Sequence, residues 1–217
     1  MIRMDRVKKH YNAAGHRKVI LDRVSATFET GHSYGLLGVN GAGKSTTMRL
    51  LAGSELPTGG RIVKDARVSW PLGFAAGFHP TMSGMANLKF VARAYGEDER
   101  RVSRFVDEFA ELGDYINAPV KTYSSGMMAR LAFGLSMAIA FDCYLVDEIT
   151  SVGDARFQKR CRDAFEARRR NADVIMVSHD MGTIQSYCDR GMVLVDGQLI
   201  VFDDVASAIE TYYRMNR

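Results

Sequence analysis

The chain has 217 residues, of which 47% are apolar and 25% charged, with a formal net charge of +4 at pH 7. This suits one large or two small globular units, and interspersed charges of both signs single out neither nucleic acid nor a membrane surface as a partner. Its three cysteines lie far apart with no C-x-x-C pair, which predicts reduced thiols in a cytosolic protein rather than a disulfide framework.

The first 30 residues read as short strands, with Val24, Ala26 and Phe28 alternating with polar residues and Gly15 and Gly31 as punctuation. Residues 33–38 form a short apolar strand, followed by a Gly-rich turn and a helix over "KSTTMRLLA" that Gly53 stops. "TGGRIV" reads as a turn and a strand. Residues 84–112 read as helical with a charged break at "GEDER", and 126–140 as a buried helix. "CYLVDE" and "DVIMVSHD" are buried strands that end in polar residues, separated by a charged helix over 155–170. A short helix at 181–188, a hairpin turning at Asp196-Gly197 and a last helix over 204–215 complete the chain. Apolar strands separated by helices predict an α/β fold with a mainly parallel sheet. Met1-Ile2-Arg3-Met4-Asp5-Arg6 is charged where a secretory leader would be apolar. The longest apolar run, Leu131 to Phe141, falls short of the roughly 20 residues of a bilayer helix.

The chemistry concentrates at strand ends. Gly38-Val39-Asn40-Gly41-Ala42-Gly43-Lys44-Ser45 fits G-x-x-x-x-G-K-[ST], between a predicted strand and a predicted helix. Its glycines permit a tight loop whose amides face phosphates, and the helix start adds its positive dipole. Lys44 can reach β and γ phosphates, and the Ser45 hydroxyl can ligate Mg²⁺. A Rossmann reading fails, because the glycine spacing differs and a Lys-Ser pair has no role there. The strand 143–147 delivers Asp147 and Glu148 beside the phosphates. Asp147 would hold Mg²⁺ through its shell, and Glu148 would orient or deprotonate the attacking water. Ser178-His179-Asp180 is no catalytic triad, since adjacent strand residues point in alternating directions. A histidine reaching the γ-phosphate is the better reading of His179.

These motifs resemble those of the nucleotide-binding subunit of ABC transporters, over nearly the whole chain. The resemblance implies a P-loop NTPase core with an N-terminal antiparallel β subdomain and a helical signature subdomain at about 80–135, all in a single ATP-binding domain. It makes 38–45 the Walker A loop, 143–148 Walker B and His179 the switch histidine. It implies an ATP-binding set of Tyr11, Gly38, Asn40, Gly41, Ala42, Gly43, Lys44, Ser45 and Thr46, with Tyr11 stacked on adenine. Lys44, Glu148 and His179 are the implied catalytic residues, and ATP and Mg²⁺ the implied cofactors. Two copies would sandwich two ATP molecules head to tail. Each site would then be completed by the partner copy's signature motif, here "YSSGM" with Ser124, Ser125 and Gly126, and by Asp154 of the Ser151–Asp154 D-loop. The usual signature leucine, first glycine and glutamine are replaced by Tyr123, Ser125 and Met127. The region expected to hold the Q-loop glutamine contains none, and His79 is the nearest candidate for its role.

"SWPLGFAAGF", "KTYSSGM", "GLSMAIAFDCYLVDE", "VGDARF" and "MVSHD" more narrowly resemble the ATPases of bacterial capsular polysaccharide exporters, and somewhat less those of O-antigen and teichoic acid export. This implies a peripheral subunit at the cytoplasmic face of the inner membrane, bound to separate permease subunits. Periplasmic and outer-membrane export components would lie beyond, and no nucleic acid is expected. A long coiled coil of the DNA-repair type does not fit between Walker A and the signature, and the paired domains of translation factors are missing. The arginine-rich stretch 156–170 is interleaved with Asp163 and Glu166, which predicts a solvated helix face.

Overall fold

The computed structural model describes residues 1–13, 15–72, 77–147 and 154–216. In chain order the first elements are β1 (Ile2–Ala13), β2 (His16–Phe28), β3 (Tyr34–Leu37), α1 (Lys44–Ala52), β4 (Gly59–Lys64) and β5 (Val68–Pro71). There follow α2 (Gly84–Ala94), α3 (Glu99–Ala110), two 3-10 turns (Gly113–Asn117 and Val120–Thr122) and α4 (Ser125–Ala138). The remainder comprises β6 (Cys143–Asp147), α5 (Ala155–Arg169), β7 (Asp173–Val177), α6 (Met181–Tyr187), β8 (Arg190–Val195), β9 (Gln198–Phe202) and α7 (Val205–Met215). These form two compact units, one of Met1–Pro71, Phe141–Ile149 and Asn171–Arg217, the other of Leu72–Ala140 and Thr150–Arg170.

The first unit holds two sheets. An antiparallel sheet has the order β2-β1-β4, and a larger one has the order β5-β6-β7-β3-β8-β9. In the larger sheet only β9 runs against its neighbour. The N-terminal stretch expected as short strands is two long ones. The β8–β9 turn falls on Asp196-Gly197 as expected, with φ of 47° and 75°, the left-handed pair a two-residue hairpin requires. One apolar cluster joins Ile20, Leu21 and Val24 of β2, Met48 and Leu51 of α1, and Leu36, Leu145, Ile175, Val177 and Leu194 of the parallel strands. The intervening residues Tyr144, Val146, Val174, Met176 and Val193 are also buried. A sheet covered on both faces explains why these strands read as continuous apolar runs.

Strand β5 has no counterpart in the elements read from the sequence, and it contains Pro71. It forms at the sheet edge, where a proline's missing N–H costs no ladder bond. The fully buried Ser69 hydroxyl accepts from the Leu145 amide (2.9 Å) and donates to the Trp70 carbonyl (2.7 Å), so a side chain supplies part of the β5–β6 pairing.

The second unit packs α3 to α5 around aromatic rings. Phe109 lies 5.6 Å from Phe105, 6.0 Å from Phe133 and 5.6 Å from Phe157. The arginine-rich helix α5 with its C-cap exposes Arg156, Lys159, Arg162 and Arg170, as expected of a solvated face, but two of its half-buried arginines do more. Arg168 donates to the Met137 carbonyl (2.9 Å) and Arg160 to the Phe109 carbonyl (2.9 Å). Both acceptors lie in the last turns of neighbouring helices, whose final carbonyls have no helical partner and carry the negative end of the dipole. These arginines fasten helix ends. The three cysteines are buried and form no disulfide among the described residues, and burial pushes the Cys143 and Cys161 thiols up to about 12, far from a reactive thiolate.

Candidate active site

Residues 38–43 leave β3 and enter α1 at Lys44. Gly41 and Gly43 hold φ of 82° and 111°, the left-handed region that favours glycine. A Cβ on Gly43 would stand 2.4 Å from Ile20 Cγ2, and one on Gly38 would stand 2.8 Å from the Leu194 carbonyl oxygen. The loop is therefore closed from both sides by its own protein. No side chain caps α1 and its first turn holds no acidic residue. Its leading amides and positive dipole end are left for an anion. The Lys44 ammonium crosses the loop and donates to the carbonyls of Gly38 (2.6 Å) and Val39 (3.2 Å).

Parallel pairing brings the other candidates to the same edge. Asp147 ends β6 opposite Val177 of β7, and β7 pairs in parallel with β3. The carboxyl ends of all three strands therefore meet, as ligand sites of open α/β sheets require. A cavity of about 470 Å³ is lined by Tyr11, Asn40, Gly41, Gly43, Lys44, Ser45, Thr46, Asp147 and His179, with Lys18, Ile20 and Val177 between them. Small-molecule sites fall in this size range.

Asp180 is not aimed at His179. Its carboxylate accepts from the Gly182 and Thr183 amides at the start of α6 (3.1 and 3.0 Å) and from the Thr183 hydroxyl. The Thr183 hydroxyl above all holds it below the usual carboxylate range. Ser178 accepts from the Asp180 amide at 3.1 Å. Ser178 and Asp180 are thus both engaged with local partners at the start of α6, which argues against a triad.

Tyr11 lines the same cavity and belongs to a network that local sequence does not announce. Its hydroxyl donates to Glu55 Oε1 (2.5 Å) and accepts from Arg49 Nη2 (3.4 Å), while Arg49 also donates to Thr46 Oγ1 (3.1 Å). Glu55 further pairs with Lys9 (2.7 Å) and Arg49 (2.9 Å). Burial would raise the Glu55 pKa, but hydrogen bonds from Lys9, Tyr11 and Arg49 outweigh it and hold the carboxyl at about 2.

A family model described as ABC transporter matches residues 21–151. The chain belongs to the ABC transporter family. It is 45% identical over 212 residues to the capsule polysaccharide export ATP-binding protein CtrD of Neisseria meningitidis serogroup B, covering 98% of each. It is 44% identical over 215 residues to the polysialic acid transport ATP-binding protein KpsT of Escherichia coli, covering 98% of each. Among solved structures, a dimeric ATP-binding cassette in a post-hydrolysis state bound to ADP and Pi superimposes with a TM-score of 0.72 at 19% identity. That match covers 92% of this chain and 96% of the other. The α/β fold expected of an ABC ATPase is the fold found.

The expected signature residues Ser124, Ser125 and Gly126, the expected D-loop residue Asp154 and His79 lie in the second unit. Ser124 is the N-cap of α4 and its hydroxyl accepts from the Met127 amide (3.2 Å). Ser125 and Gly126 form the first turn. A Cβ on Gly126 would meet only Ser124 Oγ, at 3.9 Å, so packing within the chain does not require glycine there. Tyr123 donates to the Tyr115 carbonyl (2.7 Å), and a Cβ on Gly84 would lie 2.3 Å from its hydroxyl. Asp154 caps α5 through the Phe157 amide (2.9 Å) and pairs with Arg130 (3.2 Å). The backbone of His79 is held by Asn87 (N–H to Oδ1, 2.7 Å) and its ring by the Thr81 hydroxyl (3.0 Å). Glu148 and D-loop residues Ser151, Val152 and Gly153 lie outside the described residues.

The Glu55 network predicts a pH effect. Its carboxyl drops from an ordinary 4.5 to about 2 on folding, so its contribution to stability is present above 4.5 and fades as pH falls toward 2. Glu55→Gln should lessen the loss of stability across that window in urea melts at stepped pH. An unchanged pH slope would contradict the network.

Proposed function

We propose that this chain is the ATP-hydrolysing subunit of an exporter of lipid-linked capsular polysaccharide, working as a peripheral protein on the cytoplasmic face of the bacterial inner membrane. The observation that carries the ATPase reading is the convergence of Lys44, Ser45, Asp147 and His179 on one cavity. The substrate reading rests on similarity to capsule and polysialic acid export proteins along essentially the full chain. Among the described residues no helix is long and apolar enough to cross a membrane, and in this reading separate permease subunits provide the crossing. Periplasmic and outer-membrane components complete the route.

In this reading the loop amides, the α1 dipole and Lys44 receive the phosphates, and Tyr11, about a third exposed, offers its ring to the adenine. Ser45 and Asp147 are hard oxygen donors on the phosphate side of the cavity, and no cluster of three or more acidic, His or Cys ligands occurs among the described residues. That donor set fits Mg²⁺, which is held by one or two protein oxygens together with substrate phosphates. Bound there, Mg²⁺ neutralises phosphate charge. Glu148, next along from Asp147, orients and deprotonates the attacking water, and His179 stabilises charge developing on the γ-phosphate. The P-loop and signature lie on one chain but serve different sites in a head-to-tail dimer. The Ser124 hydroxyl, though accepting from Met127, keeps its proton to donate, and the bare Gly126 lets a partner copy's phosphate approach the helix start. The open space around Gly126 supports an intermolecular role. His79 is the proposed Q-loop substitute and Asp154 the proposed D-loop carboxylate.

Co-reconstituted with its permease in liposomes, the chain should hydrolyse ATP several-fold faster when capsular glycolipid is present. Stimulation by an O-antigen or teichoic acid glycolipid alone would overturn the substrate assignment. Separately, Glu148→Gln with ATP should elute as a dimer in size-exclusion chromatography, and adding Gly126→Val should return it to monomer with its melting temperature preserved. A dimer that survives the second substitution would contradict the role given to the signature.

A further inference from the structure

We propose that Lys18 is a second phosphate-binding cation of this site, contacting the α and β phosphates and setting nucleotide affinity rather than the hydrolytic step. The inference rests on the ATP-site reading and adds to it a residue outside every motif. Lys18 lies on β2 directly opposite Tyr11 of β1, so the two side chains leave the same face of the ladder a few ångströms apart. Both line the cavity that holds the phosphate loop. The Lys18 ammonium reaches over that loop, 3.9 Å from where a Cβ on Gly41 would stand. It therefore spans the interval between the ring proposed for adenine and the loop proposed for the phosphates, which is where ribose, α-phosphate and β-phosphate must pass.

Its electrostatic setting agrees. Neighbouring Lys9 is neutralised by Glu55 and Arg17 is hydrogen-bonded to His10, whereas among the described residues no carboxylate lies within ion-pair distance of Lys18. An unneutralised ammonium on a flexible stem beside open helix amides suits an anion that binds and leaves. Lys44 lines the same cavity and is tethered to its own loop, so the two lysines reach a polyphosphate from different elements, α1 and β2.

The test is calorimetric titration of wild type, Lys18→Met, Lys18→Arg and Lys44→Ala with ATP, ADP and adenosine, paired with steady-state ATPase assays. Lys18 is exposed, so Lys18→Met should fold normally. We expect ATP and ADP affinity in Lys18→Met to fall about tenfold, the worth of one charge-assisted hydrogen bond. KM should rise while kcat stays near wild type, adenosine affinity should hold, and Lys18→Arg should recover most of the loss. Wild-type ATP and ADP affinity in Lys18→Met, with binding abolished in Lys44→Ala, would overturn the Lys18 assignment alone. Full ATP binding by Lys44→Ala would overturn the ATP-site reading beneath it.

Discussion

The contact between Gly43 and Ile20 sets the geometry on which the site depends. With φ of 111° and no room for a Cβ, Gly43 lets β2 of the antiparallel sheet press against the start of α1. A bulkier residue would push the two apart. Because Ile20 also belongs to the apolar cluster, the loop's position is tied to the best-packed part of the first unit. Gly38, against the Leu194 carbonyl, does the same from the β8 side.

From that anchor the remaining polar groups follow by strand direction. Parallel pairing sends the ends of β6 and β7 to the edge where β3 opens into the loop, so Asp147 and His179 arrive together although 32 positions separate them in the sequence. The β1–β2 hairpin brings Tyr11 and Lys18 to the same cavity. Ion pairs around Glu55 keep Tyr11 in place, and they are effective because the carboxylate is partly withdrawn from water. The second unit uses a different device. Its helices begin on side-chain caps at Ser83, Asp98, Ser124 and Asp154, and two of its arginines close helix ends through backbone carbonyls.

Much of this was legible in the sequence because the relevant residues are contiguous. The P-loop announces itself within eight residues, the strand carrying Asp147 is an unbroken apolar run, and Asp196-Gly197 marks its own hairpin. What was not legible depends on partners distant in sequence. Glu55 draws its ligands from β1 and α1, so no local pattern marks it. Arg160 and Arg168 of α5 look as solvated as their neighbours until the helix ends they reach are known. Strand β5 is obscured by Pro71, which is harmless only because the strand lies at an edge. Lys18 was recoverable in principle. A two-residue turn at 14–15 would pair Ala13 with His16 and hence Tyr11 with Lys18, the observed register, but Gly15 alone did not establish that turn length. Ser124 was read as a signature residue, and its role as the cap of α4 shows once the helix start is placed; its hydroxyl chemistry accommodates both.

The central claim is that a polyphosphate is held by a loop whose shape the Gly43–Ile20 contact enforces. Calorimetric titration of ATP into Gly43→Ala, in protein shown by circular dichroism to retain its fold, tests this most directly. One ATP should bind per wild-type chain and none measurably to the variant, because the added methyl must displace the loop or β2. Wild-type affinity in a folded Gly43→Ala chain would contradict the claim.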